Sequence, residues 1–298
     1  IINISYLGFF VFSSFLLILL ALNYENNGAV RWIKIAGFSM QPSEFLKPFM
    51  VVIFSLLLSS EKQLNFANIK LNPKSLAFLL LFLTSTLILM QPNFSMFVLV
   101  FSVFLIQYFI AGINFRWTII SLSTLSVLSY IAYTNLSHVQ YRLDNFFSSN
   151  KTNFQIEKSL NAYKSGGFLG KGPGQGTVKK NLPDSHTDFI LPVIAEEYGG
   201  IVCILIVSTI LAIFMRGLYK ISLITNKFKV IACTGLLSLL VLQAFINVAV
   251  SIQLIPTTGV TFPFVSYGGS SLVSSGIVMG MVLSLTKKEF KEKGLIYE

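Results

Sequence analysis

The sequence predicts an all-α polytopic membrane protein, and three observations carry that prediction. Of 298 residues, 54% are hydrophobic and only 11% are charged, with a mean hydropathy of +0.73. A soluble domain carries roughly a quarter charged residues. The apolar residues fall in runs of about 20, the length that crosses a bilayer as a helix. The basic residues collect in alternate connections between those runs.

Eight spans follow, at roughly 2–22, 43–60, 75–91, 96–112, 116–134, 189–215, 230–252 and 271–286. The first carries no charge. The second holds Glu44 and Lys47 near its start. The third and fourth are joined by a short turn, Pro92-Asn93-Phe94-Ser95. The sixth is longer than the hydrocarbon layer requires and is expected to tilt. A segment rich in proline and glycine joins the last two. The expected organisation is one membrane domain over 1–298, with a long loop at about 135–188 and a tail at 287–298. The chain begins at Ile1 rather than Met, and it reads as a fragment.

One set of connections holds Lys62, Lys70 and Lys74, then Arg116, then Arg216, Lys220, Lys227 and Lys229, then Lys287, Lys288, Lys291 and Lys293. The opposite short connections hold only Arg31 and Lys34. The positive-inside rule makes the first set cytoplasmic. Both chain ends are then cytoplasmic and the 135–188 loop lies outside. That loop carries seven Lys/Arg, which its length permits, since long loops cross largely regardless of charge.

Topology thus accounts for the net charge of +10. No soluble face interleaves basic with aromatic residues, so nucleic acid is set aside. There is no phosphate-loop or dinucleotide glycine pattern and no metal-type Cys/His spacing. Cys203 and Cys233 lie in apolar runs and read as packing residues. A reaction outside has no nucleotide to drive it, so a substrate there must bring its own activated bond.

Four polar segments map to the outer side. The first joins Arg31-Trp-Ile33 to Gln41-Pro-Ser-Glu44 and Lys47. Ser43 reads as a helix N-cap. Glu44 and Lys47, three apart, share a helix face. They form either a local ion pair or a polar lining for an anionic head group. The second is the loop, with Gln140-Tyr-Arg142-Leu-Asp144, then six glycines between 166 and 176, then Lys179-Lys180. The glycines let the backbone approach a ligand closely. Apolar residues at 146, 154, 156, 160 and 163 place part of the loop on the membrane surface. The third is Leu182-Pro-Asp-Ser-His-Thr-Asp188-Phe, followed by Glu196-Glu197-Tyr-Gly-Gly200. Asp184 reads as a turn residue. Asp188 stands at a water–membrane junction, either as a helix-start carboxylate or as a catalytic one. The fourth is Leu254 to Ser271, with Pro256-Thr-Thr-Gly259 and Ser266-Tyr-Gly-Gly-Ser-Ser271. It reads as an ordered non-helical segment that lines a cavity, with Ser270 or Ser271 capping the last helix. His138 reads as an ordinary loop residue.

Taken together, Arg31-Trp-Ile, Gln41-Pro-Ser-Glu44 with Lys47, Gln91-Pro92, Gly172-Pro-Gly174 with Gly176, His186-Thr-Asp188-Phe, Glu196-Glu197 with Gly199, and Ser266-Tyr-Gly-Gly-Ser-Ser271 resemble the SEDS family of FtsW, RodA and SpoVE. The resemblance spans nearly the whole chain. It implies a fold of ten transmembrane helices and a peptidoglycan glycosyltransferase that polymerises lipid II on the outer face of the bacterial cytoplasmic (inner) membrane. It implies a class B penicillin-binding protein of the FtsI type and other divisome proteins as partners. Eight spans against ten place the difference before Ile1. The Gly172–Lys180 run and Pro256-Thr-Thr-Gly259 resemble the division-type FtsW branch, which implies a role in septal cell-wall synthesis. Where the family reads Gln-Pro-Asp, this chain has Gln91-Pro92-Asn93, which keeps the hydrogen-bonding shape and loses the charge.

The site that follows has Asp188 as general base in an inverting transfer. Arg31, Glu44, Lys47, Gln91, His186, Thr187, Glu196, Ser266, Gly268, Gly269 and Ser270 would contact substrate. Arg31, Lys47 or the loop lysines would stabilise the pyrophosphate, and His186 and Glu196 would orient groups around Asp188. A divalent cation, magnesium or manganese, is compatible with that chemistry, although the sequence itself shows no metal motif. Two other classes stay open. One is a lipid II flippase or transporter, with Glu44, Lys47 and Glu196 along its path. The other is a non-catalytic divisome scaffold.

Overall fold

The computed structural model describes residues 1–22, 31–35, 38–66, 69–112, part of 119–135, 137–147 and 154–287. Helix α1 (Ile2–Leu22) precedes a hairpin of β1 (Ile33–Ile35) and β2 (Phe38–Met40), paired antiparallel with Ile33 opposite Met40. Helix α2 (Pro42–Ser59) leads to a second hairpin, β3 (Leu64–Phe66) with β4 (Ile69–Leu71). Then come α3 (Pro73–Met90) and α4 (Phe94–Ile110). The described residues between 119 and 135 are helical. They are followed by α5 (Ser137–Phe147), α6 (Phe154–Gly166), a 3₁₀ turn (Val178–Asn181), α7 (Ile190–Tyr198), α8 (Gly200–Ser222), α9 (Lys227–Ser251) and α10 (Gly269–Thr286).

Among the described residues, α1, α2, α3, α8, α9 and α10 are long and apolar enough to cross a membrane. Helix α4 is equally apolar at 17 residues, the short end of the usual range of about 17 to 25. The chain is a multi-pass membrane protein. The expected span at 116–134 lies largely outside the described residues.

The expected sixth span, 189–215, is two helices. Gly199 adopts φ +87°, a left-handed conformation that ends α7 and restarts the chain as α8 at Gly200. Periodicity could not show this, because the apolar pattern continues across the break. Two short hairpins accompany the helices. Strands of three residues are too short to display alternation.

Helices α2 and α9 form the centre. In their most apolar stretches 83% and 72% of residues are buried, whereas the corresponding stretch of α8 has none. Helix α8 therefore stands at the rim with its apolar side chains outward, as lipid contact requires. Two polar contacts inside the bundle join neighbouring helices. Gln107 of α4 donates from Nε2 to the Val51 carbonyl at 2.8 Å and to Ser55 Oγ at 2.6 Å on α2. Pro48 lies inside α2 and has no N–H for the carbonyl four residues back, at Glu44. Ser274 of α10 supplies the missing donor, its hydroxyl reaching the Glu44 carbonyl at 2.6 Å.

The start of α2 differs from expectation. Gln41 is the N-cap, Pro42 takes the first turn, and Ser43 caps nothing; its hydroxyl is buried without a partner. Proline suits that position because the first N–H groups of a helix lack partners anyway.

The loop from Gly166 to Asn181 is ordered against α7. Lys171 and Gly172 donate backbone N–H groups to the carbonyls of Glu196 and Glu197, each at 2.9 Å, and Gly200 donates to Gly167 at 2.9 Å. Two of the orphan carbonyls at the end of α7 are thereby satisfied. The glycines make this approach possible: a Cβ on Gly166 would sit 1.9 Å from the Ala195 carbonyl oxygen. Gly166 and Gly170 bring loop backbone to helix backbone. Helix α6 likewise packs inward. Ile156, Ser159 and Ala162 are buried, and Ser159 donates to the Ser251 carbonyl at 2.6 Å. Its apolar face covers the end of α9 rather than the membrane surface, although Phe154 stays exposed.

Gly166→Ala should lower stability by about 1–3 kcal/mol, the usual cost of overpacking. Gly276→Ala within α10, where nothing lies within 4 Å of the new methyl, should be neutral or gain up to about 1 kcal/mol. Thermal unfolding in detergent compares the two, and equal effects would contradict this packing.

Candidate active site

Asp188 lies in the turn before α7 and is half-buried. Leu182 and Phe189 on either side bury against Val193 and Val250, which draws the segment 182–189 onto α7 and α9. Asp184 takes φ +54°, and its carbonyl accepts from the N–H groups of Thr187 at 3.1 Å and Phe189 at 3.2 Å. It is a turn residue, with its side chain exposed.

The segment 252–268, non-helical between α9 and α10 as expected, is bonded to this turn. Tyr267 donates its N–H to the His186 carbonyl at 2.8 Å. The Ser266 hydroxyl donates to the Thr187 carbonyl at 2.6 Å and accepts from the Phe262 N–H at 2.8 Å. Asn247 of α9, only 1% exposed, donates from one amide to the carbonyls of Asp188 at 2.9 Å and Val260 at 2.8 Å. Three successive carbonyls, 186 to 188, are thus fixed from one side. The Asp188 carboxylate lies against Gly259, 3.6 Å from where a Cβ would stand. Gly259 has φ +75° and presents only backbone to it.

Arg142 completes the site, and sequence reading did not select it. It sits on α5, and its guanidinium donates to the carbonyls of Thr257 at 3.2 Å and Thr258 at 3.4 Å. It is close enough to act electrostatically on both Asp188 and Arg31. Its sequence signal was being the one arginine among the seven basic residues of the long loop. Burial raises the Asp188 carboxyl to about 6. The Asp184 charge adds to the rise and Arg142 opposes it. Burial, with Arg142 nearby, lowers the Arg31 guanidinium to about 10. Both arginines remain cations at neutral pH.

Arg31 also holds the turn between α3 and α4. Its guanidinium donates to the Gln91 carbonyl at 2.9 Å and to that of Pro92. The Gln91 side chain is fully buried with neither polar end partnered. Asn93 is the N-cap of α4, accepting from the Met96 N–H at 3.4 Å. His186 is exposed and Thr187 half-buried beside Asp188.

The remaining expected residues do other work. Glu196 is fully buried and turned toward the glycine loop. Its carboxylate accepts from the N–H groups of Thr177 at 2.8 Å, Val178 at 2.9 Å and Lys179 at 3.0 Å, with the Lys171 ammonium at 3.4 Å. Burial alone would raise this carboxyl, but those donors hold it below its ordinary range. It anchors the loop instead of orienting groups around Asp188, because both of its oxygens accept from loop N–H groups. Glu197 pairs with Lys179 in the same place. Glu44 and Lys47 close on each other at 2.8 Å, with Lys47 only 1% exposed. They form the local ion pair, and Lys47 presents no free cation for a head group. Ser270 and Ser271 do not cap α10, which starts after Gly268. Ser270 instead accepts from the Gln41 N–H at 3.0 Å, and Ser271 pairs with Thr261 at 2.6 Å. Gly268 and Gly269 form that helix start, next to Tyr267. Among the described residues, no three His, Cys, Asp or Glu side chains gather as a metal site.

Infrared titration of the carboxylate band, with Asp188→Asn subtracted, should show a group titrating near 6. Arg142→Gln removes a cation that favours the charged form, so the transition should move up. Asp184→Asn removes an anion that disfavours it, so the transition should move down. A group that responds to neither change does not lie between these charges. Separately, Glu196→Gln should weaken charge-assisted bonds worth about 1.5–3 kcal/mol each, seen as faster proteolysis within 167–181.

The profile of the FtsW/RodA/SpoVE cell cycle protein family matches residues 3–291. The chain is 36% identical over 286 residues to the probable peptidoglycan glycosyltransferase FtsW of Caulobacter vibrioides, covering 94% of this chain and 72% of that protein. It is 33% identical over 277 residues to the peptidoglycan glycosyltransferase RodA of Mycobacterium tuberculosis, covering 88% and 58%. The chain thus spans under three fifths of the RodA relative. In fold it is similar to a chain from a structure described as the structural coordination of polymerization and crosslinking by a peptidoglycan synthase complex. That match has a TM-score of 0.77 at 20% identity, covering 98% of this chain and 83% of the other. It is also similar to the rod shape determining protein RodA of Thermus thermophilus, with a TM-score of 0.64 at 20% identity, covering 95% and 78%.

Proposed function

The chain belongs to the FtsW/RodA/SpoVE family of cell cycle proteins, and from that premise we propose that it is a peptidoglycan glycosyltransferase that polymerises lipid II. The observation that carries the mechanism is Asp188, a half-buried carboxylate lifted to about 6 and flanked by Arg142. A general base works best when its pKa lies near the working pH, and this position leaves it mostly ionised at neutral pH yet able to take a proton.

The reaction follows from those charges. Asp188 accepts the proton of the acceptor sugar's 4-hydroxyl. The alkoxide oxygen forms a bond to the donor's anomeric carbon from the face opposite the leaving group, so configuration inverts. The anomeric carbon–phosphate oxygen bond breaks, and the electron pair leaves with the prenyl pyrophosphate. Arg142 acts electrostatically on both Asp188 and Arg31, and preorganised cations of this kind stabilise the charge that develops on the pyrophosphate. No acid is required, because pyrophosphate is already a good leaving group.

A divalent cation fits the site only in part. Asp184 and Asp188 are electrostatically coupled, and two carboxylates with substrate phosphates suit a magnesium-type ion that keeps several waters. Bound there, magnesium or manganese would add positive charge at the pyrophosphate.

The positive-inside distribution supports placing this end of the bundle outside the membrane, with both ends of the chain in the cytoplasm. The resemblance to the FtsW branch supports a role at the division septum. A chain of like fold in a peptidoglycan synthase complex supports a class B penicillin-binding protein of the FtsI type as partner. The transport alternative has weaker support. Glu44, Lys47 and Glu196, the groups it would string along a path, are each closed on local partners.

Asp188→Asn should reduce lipid II polymerisation by about 10²–10⁴-fold while the protein stays folded and monodisperse. Purified protein in liposomes containing lipid II should produce glycan strands. A folded Asn variant that polymerises near the wild-type rate removes the base assignment, and lipid movement without polymer supports transport instead.

A further inference from the structure

The glycine loop carries two large apolar side chains outward, Phe168 at 76% and Leu169 at 82% exposed. Their backbone is fixed from both sides. Gly167 and Gly170, which flank the pair, take φ +56° and +79°. Gly170 donates its N–H to the Gly166 carbonyl at 2.8 Å, and Lys171 donates to that of Glu196 at 2.9 Å. A Cβ on Gly199 would sit 2.1 Å from the Phe168 carbonyl oxygen, so the pair is pressed onto the junction of α7 and α8.

That junction borders lipid. The carbonyls of Gly167 and Phe168 accept from the N–H groups of Gly200 at 2.9 Å and Ile201 at 3.4 Å. They cap the first turn of α8 with protein, as a helix end entering hydrocarbon requires. Ile201, Ile204 and Leu205 in the next turns are exposed, and they begin the unburied apolar stretch of α8. Tyr198, just before the junction, is half-exposed, and tyrosine is enriched where head groups meet hydrocarbon. The length of α8 points the same way. From Gly200 to Met215, ahead of its first charge at Arg216, it rises about 24 Å. The hydrocarbon layer is about 30 Å thick, and tilt shortens the reach further. The end with Arg216 and Lys220 is charged, so the shortfall falls to the end where Phe168 and Leu169 sit.

We propose that Phe168 and Leu169 form a fixed wedge that inserts into the acyl-chain border of the leaflet at this end of the bundle, extending the lipid-facing surface of α8. The partner is bilayer lipid, because the pair continues a surface that already meets lipid and supplies the length that α8 lacks. The same loop is bonded to the carbonyls of Glu196 and Glu197. The wedge therefore sets the depth of α7 and, with it, the height of the Asp188 turn above the acyl chains. The inference holds whatever chemistry Asp188 performs.

The test places the chain in phosphatidylcholine liposomes and reads the tryptophan added by Phe168→Trp, as the difference from the parent's own two. Lipid brominated near the head group should lower the added emission, and lipid brominated near the chain end should lower it less. Acrylamide in the water should barely lower it. Lys180→Trp, at an exposed position of the same loop, should show the reverse, with loss to acrylamide and little to bromine. Leu169→Trp should match Phe168→Trp, and it decides if that variant does not fold. A tip tryptophan quenched by acrylamide and spared by bromine overturns the proposal and points to a protein at this surface. Equal bromine quenching at 168 and 180 also overturns the wedge, since the whole loop would then lie on the membrane.

Discussion

The non-helical segment between α9 and α10 has to satisfy its backbone within the protein, since hydrocarbon offers no hydrogen bonds. It does so on the residues that carry Asp188. Asn247 holds the carbonyls of Asp188 and Val260 with one amide, Ser266 holds Thr187, and Tyr267 holds His186. The same bonds that allow an irregular segment beside the helices fix the backbone under the Asp188 carboxylate, the proposed base. Arg142 then depends on the arrangement, because its guanidinium rests on the carbonyls of Thr257 and Thr258. The positions of Asp188 and of Arg142 are set by one piece of chain.

The same rule explains residues that looked functional in isolation. A carboxylate inside a membrane protein is costly unless paired or hydrogen-bonded. Glu196 meets that demand with loop amides and Lys171, and Glu44 meets it with Lys47. Both are closed systems. Asp188 is the exception: its side chain is coupled to Arg142 and Asp184, and burial leaves it less acidic than an ordinary aspartate. Arg31, lying against the Gln91–Pro92 turn, carries the positive charge onward from Arg142 toward α3 and α4.

Much of this was legible in the sequence. Six of the eight expected spans agree with helices to within about three residues, because hydrophobic length is a strong signal in a bilayer. The contribution of Ser266 was visible as part of a non-helical segment, and Asp184 as a turn residue after Pro183. What sequence could not supply was direction. The spacing of Glu196 and Asp188 does not say that Gly199 ends the helix or that Glu196 turns to the loop. Six glycines announce close approach without naming the neighbour, which for Gly166 and Gly170 is the backbone of α7. Arg142 is 46 residues before Asp188, a separation that no local pattern bridges. Ser43 and Ser270 had the residue type of caps, but Pro42 and Gly268 had already set the helix starts.

The central claim is that Asp188 acts as a base whose affinity for protons is set by its burial and by Arg142. The pH dependence of lipid II polymerisation, for wild type beside Arg142→Lys and Arg142→Gln, tests it most directly. A base must be deprotonated to act, so the wild-type rate should fall as pH drops through about 6 and level off above it. Arg142→Gln should move that fall to higher pH, and Arg142→Lys, which keeps the charge, should largely restore it. A rate independent of pH between 5 and 8, the range over which a pKa near 6 must register, or a profile unchanged by Arg142→Gln, would contradict the account.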